Sequence, residues 1–180
     1  MVNTRVKEVM ITLDKYPHVP YWHTLLQAME VMINAVLDVG GRQSLPRVLL
    51  ILGDDDNLVG MVGRRNILRG LEPRYLVKRS LQTRKKMFDV KTDPRLTELQ
   101  SKRIIRGVME RAERPVGDVM VPVRSTIDYN DHIFKAVYEM NEHRISLLPV
   151  LREGKVVGVV RTVEIFHAIA DSLLKQEYIW

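Results

Sequence analysis

An internal repeat limits what this chain can fold into more than any other feature. Val6-Lys7-Glu8-Val9-Met10 returns as Val116-Gly117-Asp118-Val119-Met120. His18–Met32 returns as Thr126–Met140, sharing Tyr21/Tyr129, Ala28/Ala136 and Met32/Met140. Leu49–Ile67 returns as Leu147–Ile165. The offset falls from 110 to 108 to 98 residues, so the first copy is the longer one. Most of its extra length falls on Asp38-Val39-Gly40-Gly41-Arg42-Gln43-Ser44, a loop-like composition.

Each copy predicts the same series of elements. In the second, Asp131 suits an N-cap before a helix with Ile133, Ala136, Val137 and Met140 on one face. Leu147–Leu151 and Val156–Val160 read as strands joined by the turn Glu153-Gly154-Lys155. A second helix carries Ile165, Phe166, Ile169, Leu173 and Leu174. In the first copy a helix is expected from about Thr24 to Leu37. Strands Val48–Leu52 and Leu58–Val62 flank the turn Asp54-Asp55-Asp56-Asn57, and a short helix starts at Arg64. With short strands near Val19 and Ile127, each unit is β-α-β-β-α. A unit of about 60 residues buries only about 60% of its unfolded surface. The expected fold is therefore α+β: two units packed sheet to sheet about a pseudo-two-fold axis, with clefts between them. The expected division is unit one at 1–71, a connector at 72–114 and unit two at 115–180.

Glu72–Arg114 holds 13 Lys+Arg against 6 Asp+Glu, while the whole chain carries a net charge of +6. The connector therefore contains the entire positive excess. It predicts its own helix, with Asp93 as cap and Pro94 in the first turn. Its apolar stripe is Leu96, Leu99, Ile104, Ile105, Val108, Met109 and Ala112. The run Lys78–Lys86 could meet phosphate electrostatically. It has few interleaved aromatics, only Tyr75 and Phe88, so it reads as a solvated face and nucleic acid is not an expected partner.

The absence of cysteine excludes disulfides, Cys-based zinc sites and thiol nucleophiles, and fits a reducing compartment. Charges interrupt the N-terminal segment too soon for a secretory signal. No stretch approaches about 18 apolar residues, so a cytoplasmic protein without a membrane span is expected. His18, His23, His132, His143 and His167 form no ligand spacing, so no metal is expected. Phosphate-binding glycine loops and nucleophile-elbow motifs are missing, and Ser125 and Ser146 have no evident base partner. The expectation is no enzyme activity. Met29, Met32, Met109 and Met140 read as core filling.

Val-x-x-Val-Met, the helix, Ile145-Ser146-Leu147-Leu148-Pro149-Val150 and Gly158-Val159-Val160 before a final helix recur in one order in both copies. In this the chain resembles a tandem pair of CBS domains over Arg5–Leu71 and Pro115–Leu174. The resemblance implies a regulatory module that binds AMP, ADP, ATP or S-adenosylmethionine between the copies and signals to a regulated partner protein. It also implies a homodimer and no required cofactor. The family's last strand runs Gly-apolar-apolar-Thr/Ser-x-x-Asp, with the hydroxyl facing phosphate and the carboxylate facing ribose. Here copy one has Gly63 and Asn66 at those places, and copy two has Arg161 and Glu164, with Thr162 one place late. The implied set is Arg161, Thr162 and Glu164 for phosphate and ribose, and Ile127, Ile145 and Leu148 around the base. Arg64 and Asn66 are the first copy's candidates. Alternative readings are a ligand-free dimerisation scaffold and a connector that binds nucleic acid.

Overall fold

The structure, a computed structural model, describes residues 4–72 and 94–176, with the backbone alone for residues 94–100, 175 and 176. The Lys78–Lys86 run and Asp93 lie outside the described residues. Repeat one runs α1 (Val6–Val9), β1 (Ile11–Thr12), β2 (His18–Pro20), α2 (Leu25–Asn34), β3 (Leu37–Val39), β4 (Arg42–Ser44), β5 (Val48–Leu52), β6 (Leu58–Gly63) and α3 (Arg64–Leu71). The connector helix is α4 (Pro94–Ala112). Repeat two supplies β7 (Ile127–Asp128), α5 (Ile133–His143), β8 (Leu147–Arg152), β9 (Lys155–Arg161) and α6 (Thr162–Gln176).

Local chemistry sets the helix starts. The Thr24 hydroxyl accepts from the Gln27 amide at 3.2 Å, and the Gln27 side chain accepts from the Thr24 amide at 2.9 Å. This reciprocal cap leads into Leu25, Ala28 and Met32, which are buried at helical spacing. The helix stops at Asn34, short of the expected Leu37. Leu37 instead enters a hairpin, because Gly40 and Gly41 both take positive φ and close a two-residue turn between β3 and β4. The segment expected as loop is thus a small sheet of its own. In repeat two His132, rather than Asp131, caps α5, its Nδ1 accepting from the Phe134 amide at 3.3 Å. Asp131 is held one residue earlier, accepting from the Asp128 amide and from Lys135 Nζ.

The two sheets follow one plan. β2 pairs parallel with β5 and β5 antiparallel with β6; β7, β8 and β9 repeat this arrangement. The opening segment of each repeat, however, packs into the other one. β1 pairs with β9, placing Ile11 opposite Val159. Val121 bridges Met61 of β6 with hydrogen bonds of 2.8 and 2.9 Å. The symmetry extends to the turns before these bridges. The Val6 and Lys7 amides donate to the Asp131 and Tyr129 carbonyls, and the Val116 and Gly117 amides donate to those of His23 and Tyr21.

Three apolar clusters result. One holds Leu25, Leu49, Val62 and Ile67 together with Val116 of the other repeat. A second holds Ala136, Leu148, Val160 and Ile165 together with Val6. The third lies between the sheets and contains Ile11, Tyr16, Leu50, Leu147 and Val159. From α4, Val108 and Ala112 pack against the first cluster, and Arg111 donates to the Gly70 carbonyl at 3.0 Å. Met109 and Ile105 are exposed, so the expected stripe is buried on one edge only and Met109 is not core filling. Among the described residues no helix is long and apolar enough to cross a membrane.

The exchange depends on two glycines at equivalent places. A Cβ on Gly158 would overlap the Ile11 carbonyl oxygen, and one on Gly60 would lie 3.0 Å from the Val121 carbonyl oxygen and 2.8 Å from Met120 Sδ. The obstacle at Gly158 is backbone, whereas Met120 can swing aside. Gly158→Ala is therefore expected to lower stability in urea denaturation by about 1–3 kcal/mol, and Gly60→Ala by less. Equal effects would show that β1 yields as easily as the thioether.

Candidate functional site

The candidate site lies where the two repeats meet around the pseudo-two-fold axis. β5 and β8 both begin there, with Val48 and Leu147, and α3 and α6 start from the ends of β6 and β9. These starts place the first residues of both helices, Arg64 and Thr162, on one cleft of about 440 Å3. Arg47, Arg64 and Arg161 supply cations to its walls, and Ser44, Ser146 and Thr162 supply hydroxyls. Among the described residues no carboxylate lines it. The two helix starts add positive potential of the same sign, although the Thr162 amide itself donates to the Ser146 carbonyl at 3.1 Å. Tyr16 forms part of the floor; it is buried, and its hydroxyl donates to the Val48 carbonyl at 2.8 Å. Burial holds that hydroxyl above its ordinary range, with Arg161 opposing and Glu164 adding to the shift, so it remains a neutral donor.

Arg161 and Glu164 form a closed pair beside this cleft. Their side chains are 12% and 4% exposed. Arg161 Nε donates to Glu164 Oε2 at 2.9 Å, one Nη atom donates to Oε1, and the Arg161 amide donates to Oε2 at 3.2 Å. The same Nη atom also donates to Ser44 Oγ at 3.0 Å. Glu164 therefore caps its own helix and orients the guanidinium, with both oxygens occupied. Asn66 has the matching position in repeat one, its Oδ1 accepting from the Gly63 amide at 3.1 Å. Arg64 donates to the Pro46 carbonyl at 3.1 Å, which anchors it on the ridge Leu45-Pro46-Arg47.

The structure brings Arg161, Thr162 and Arg64 together at the cleft. It does not bring Ile127, Ile145 and Leu148 there. Ile127 and Leu148 are 2% and 0% exposed and, with Ile145 packed beside them, belong to the cluster beneath α5 and α6. The alternation of β8 puts Leu147, not Leu148, on the cleft side. Sequence reasoning missed Ser44, Arg47 and Tyr16. The Gly40-Gly41 pair was a readable hairpin signal that would have pointed to Ser44; Arg47 and Tyr16 carry no local signature.

The β3–β4 hairpin has no counterpart in repeat two. It reaches the end of β9 through Ser44–Arg161 and α6 through Arg42–Asp171 at 3.9 Å. Beneath it a second cavity of about 390 Å3 is bordered by Glu8, Glu164 and Asp171 as well as Arg42 and Arg161. A third, of about 340 Å3, opens between α2 and α3 and is apolar. Elsewhere Ser125 donates to Glu139 Oε2 at 2.7 Å, and His143 Nε2 approaches the same oxygen at 3.4 Å. Ser125 thus has a carboxylate partner that its sequence position did not reveal. The acid stands between serine and histidine, so the histidine cannot take the serine's proton. Among the described residues no group of His, Asp and Glu is placed to hold a metal.

Two β-α-β-β-α repeats that exchange their opening segments and share a cationic cleft define a tandem-repeat module. Comparison with known proteins gives the class its name. Residues 116–171 match the family model of the CBS domain, and the chain as a whole has the fold of a CBS-domain pair. One similar structure is the CBS domain of a CBS-domain-containing membrane protein from Sphaerobacter thermophilus (16% identity, TM-score 0.64, covering 92% of this chain and 87% of that one). Another is described as a putative acetoin utilization protein, AcuB, from Vibrio cholerae (20%, 0.62, 99% and 98%). A third is CBSX2, a CBS-pair protein of Arabidopsis thaliana, in complex with AMP (17%, 0.61, 94% and 98%). No curated protein matches the chain.

The buried pair gives a test of its own. Glu164→Leu strands a guanidinium that is nearly enclosed and is expected to cost about 3 kcal/mol or more in chemical denaturation. Adding Arg161→Met removes the stranded charge and should recover most of that loss. Additive losses in the double variant would show that the two groups are not coupled.

Proposed function

We propose that this chain is a regulatory CBS-pair module, not an enzyme. It binds an adenosine nucleotide with the phosphates in the central cleft and relays occupancy to a partner protein by a shift of population. The observation that carries the reading is the cleft wall: three arginines, the hydroxyls of Ser44, Ser146 and Thr162, two helix starts and, among the described residues, no carboxylate. Arginine forks match phosphate oxygens in pairs, and helix starts favour anions. Arg161, Thr162 and Arg64 are assigned to phosphate, with Arg47 added. Glu164 and Asn66 are assigned to positioning rather than to ribose, since each already accepts at a helix start. The AMP complex of CBSX2, a protein of the same fold, supports an adenine nucleotide. S-adenosylmethionine, a sulfonium cation, is the poorer fit to a wall whose charged side chains are arginines. No further cofactor is required, and the cytoplasm is the assigned compartment.

Calorimetric titration of the chain with AMP, ATP and S-adenosylmethionine tests this. Micromolar binding of AMP or ATP is expected, weakened about tenfold by Arg47→Ala or Arg64→Ala, which is about 1.4 kcal/mol. No heat with either nucleotide at millimolar concentration would sink the reading. It would leave the ligand-free scaffold, which the closed Arg161–Glu164 pair favours.

A homodimer through repeat two belongs to the same proposal. Phe134, Tyr138 and Phe166 are 50%, 63% and 67% exposed on α5 and α6, an unusual density of aromatic surface. Phe166→Glu is expected to convert a dimer to a monomer in light scattering. A wild-type monomer at high micromolar concentration would refute this part.

A further inference from the structure

We infer that the base of the nucleotide is held by the first repeat, in the apolar cavity between α2 and α3, and not in the second repeat where the sequence pattern points. The inference rests on the nucleotide reading above and assigns its specificity pocket. Met29, Met32, Ile33, Ile67 and Leu68 form this cavity, and it shares Leu45 and Arg64 with the cationic cleft. The two spaces, about 340 and 440 Å3, therefore adjoin across one arginine and one leucine. Each alone is near the small end of the range for ligand sites, about 300–1,000 Å3; together they suit a molecule with a flat apolar part and an anionic part.

The surfaces are complementary to the two ends of a nucleotide. Thioethers favour the edges and faces of flat rings, and Met29 and Met32 can adjust to such a ring. Arg64, pinned to the Pro46 carbonyl, stands at the boundary where a guanidinium can stack on the base and face the first phosphate at once. In the second repeat Ile127 and Leu148 are sealed beneath helices, and the cavity beside α6, although it adjoins the cleft through Ser44, Arg161 and Val163, is polar, bordered by Glu8, Glu164 and Asp171 with Arg42 and Arg161. The β3–β4 hairpin, present in the first repeat alone, covers that side.

The test compares a nucleotide with its phosphate portion alone. ATP and inorganic triphosphate are titrated into the full chain and into Ile33→Asn and Leu68→Asn. These side chains are 71% and 64% exposed, so folding should persist, as circular dichroism checks. Both substitutions are neutral and leave the arginines in place. ATP is expected to bind at least tenfold more weakly to both variants, while triphosphate binds within twofold of wild type. Ile105→Asn, on α4 and 58% exposed, should bind ATP as wild type does. Unchanged ATP affinity in Ile33→Asn and Leu68→Asn overturns the base pocket and leaves the cleft standing. Triphosphate binding as tightly as ATP to wild type does the same. No binding of either probe to wild type removes the nucleotide reading, and the pocket with it.

Discussion

Each repeat completes its sheet with backbone from the other, and the rest of the structure depends on that exchange. The hydrogen bonds of Ile11–Thr12 to β9 and of Val121 to β6 fix the distance between the repeats. They also bring Val6 and Val116 into cores that their own repeats do not contain. Once the sheets are held in this way, Leu50 and Leu147 meet across the axis and the ends of β6 and β9 face a common space. The cleft is thus a consequence of how the edges are closed. Removing the closure would remove the site along with the stability.

Within that symmetric frame the chemistry is unsymmetric. Gly63 and Asn66 give the first repeat's helix a neutral cap, whereas Arg161 and Glu164 put a buried ion pair at the second. A pair so enclosed contributes little net stability against an apolar replacement. Its effect is geometric: the carboxylate holds the guanidinium at the cleft wall, and Ser44 of the accessory hairpin holds it from the other side. The longer first copy therefore shapes the second copy's surroundings.

Much of the architecture was legible because repetition is a strong signal. β5 has the expected limits, and β8 and β9 extend the expected strands by a residue or two at their ends. What could not be read was the exchange of opening segments. Val6 and Val116 look alike in the sequence whether each packs at home or abroad, and pairing between residues as far apart as Met61 and Val121 or Ile11 and Val159 leaves no local trace. The site was half legible. Arg161, Thr162 and Arg64, taken from the family's pattern at the last strand and helix, do lie together on the cleft. Ile127 and Leu148, expected around the base, stand away from the cleft because they lie on the helix side of a two-sided buried strand pair, where apolar residues on both faces hide the alternation. Met109 failed for a related reason: α4 meets the body along a narrow edge, and an apolar stripe does not disclose its own width.

The exchanged strands also set an order of assembly. During synthesis the first repeat emerges with its β6 edge bare, and the residue that covers it, Val121, follows 58 residues after Gly63 ends that strand. At about 5–20 residues per second the edge waits several seconds before its partner leaves the ribosome. An unpaired strand edge is a template for the wrong neighbour. The nascent chain is thus most exposed to mispairing with a sister copy on the same messenger in that interval, before the second repeat arrives to close it.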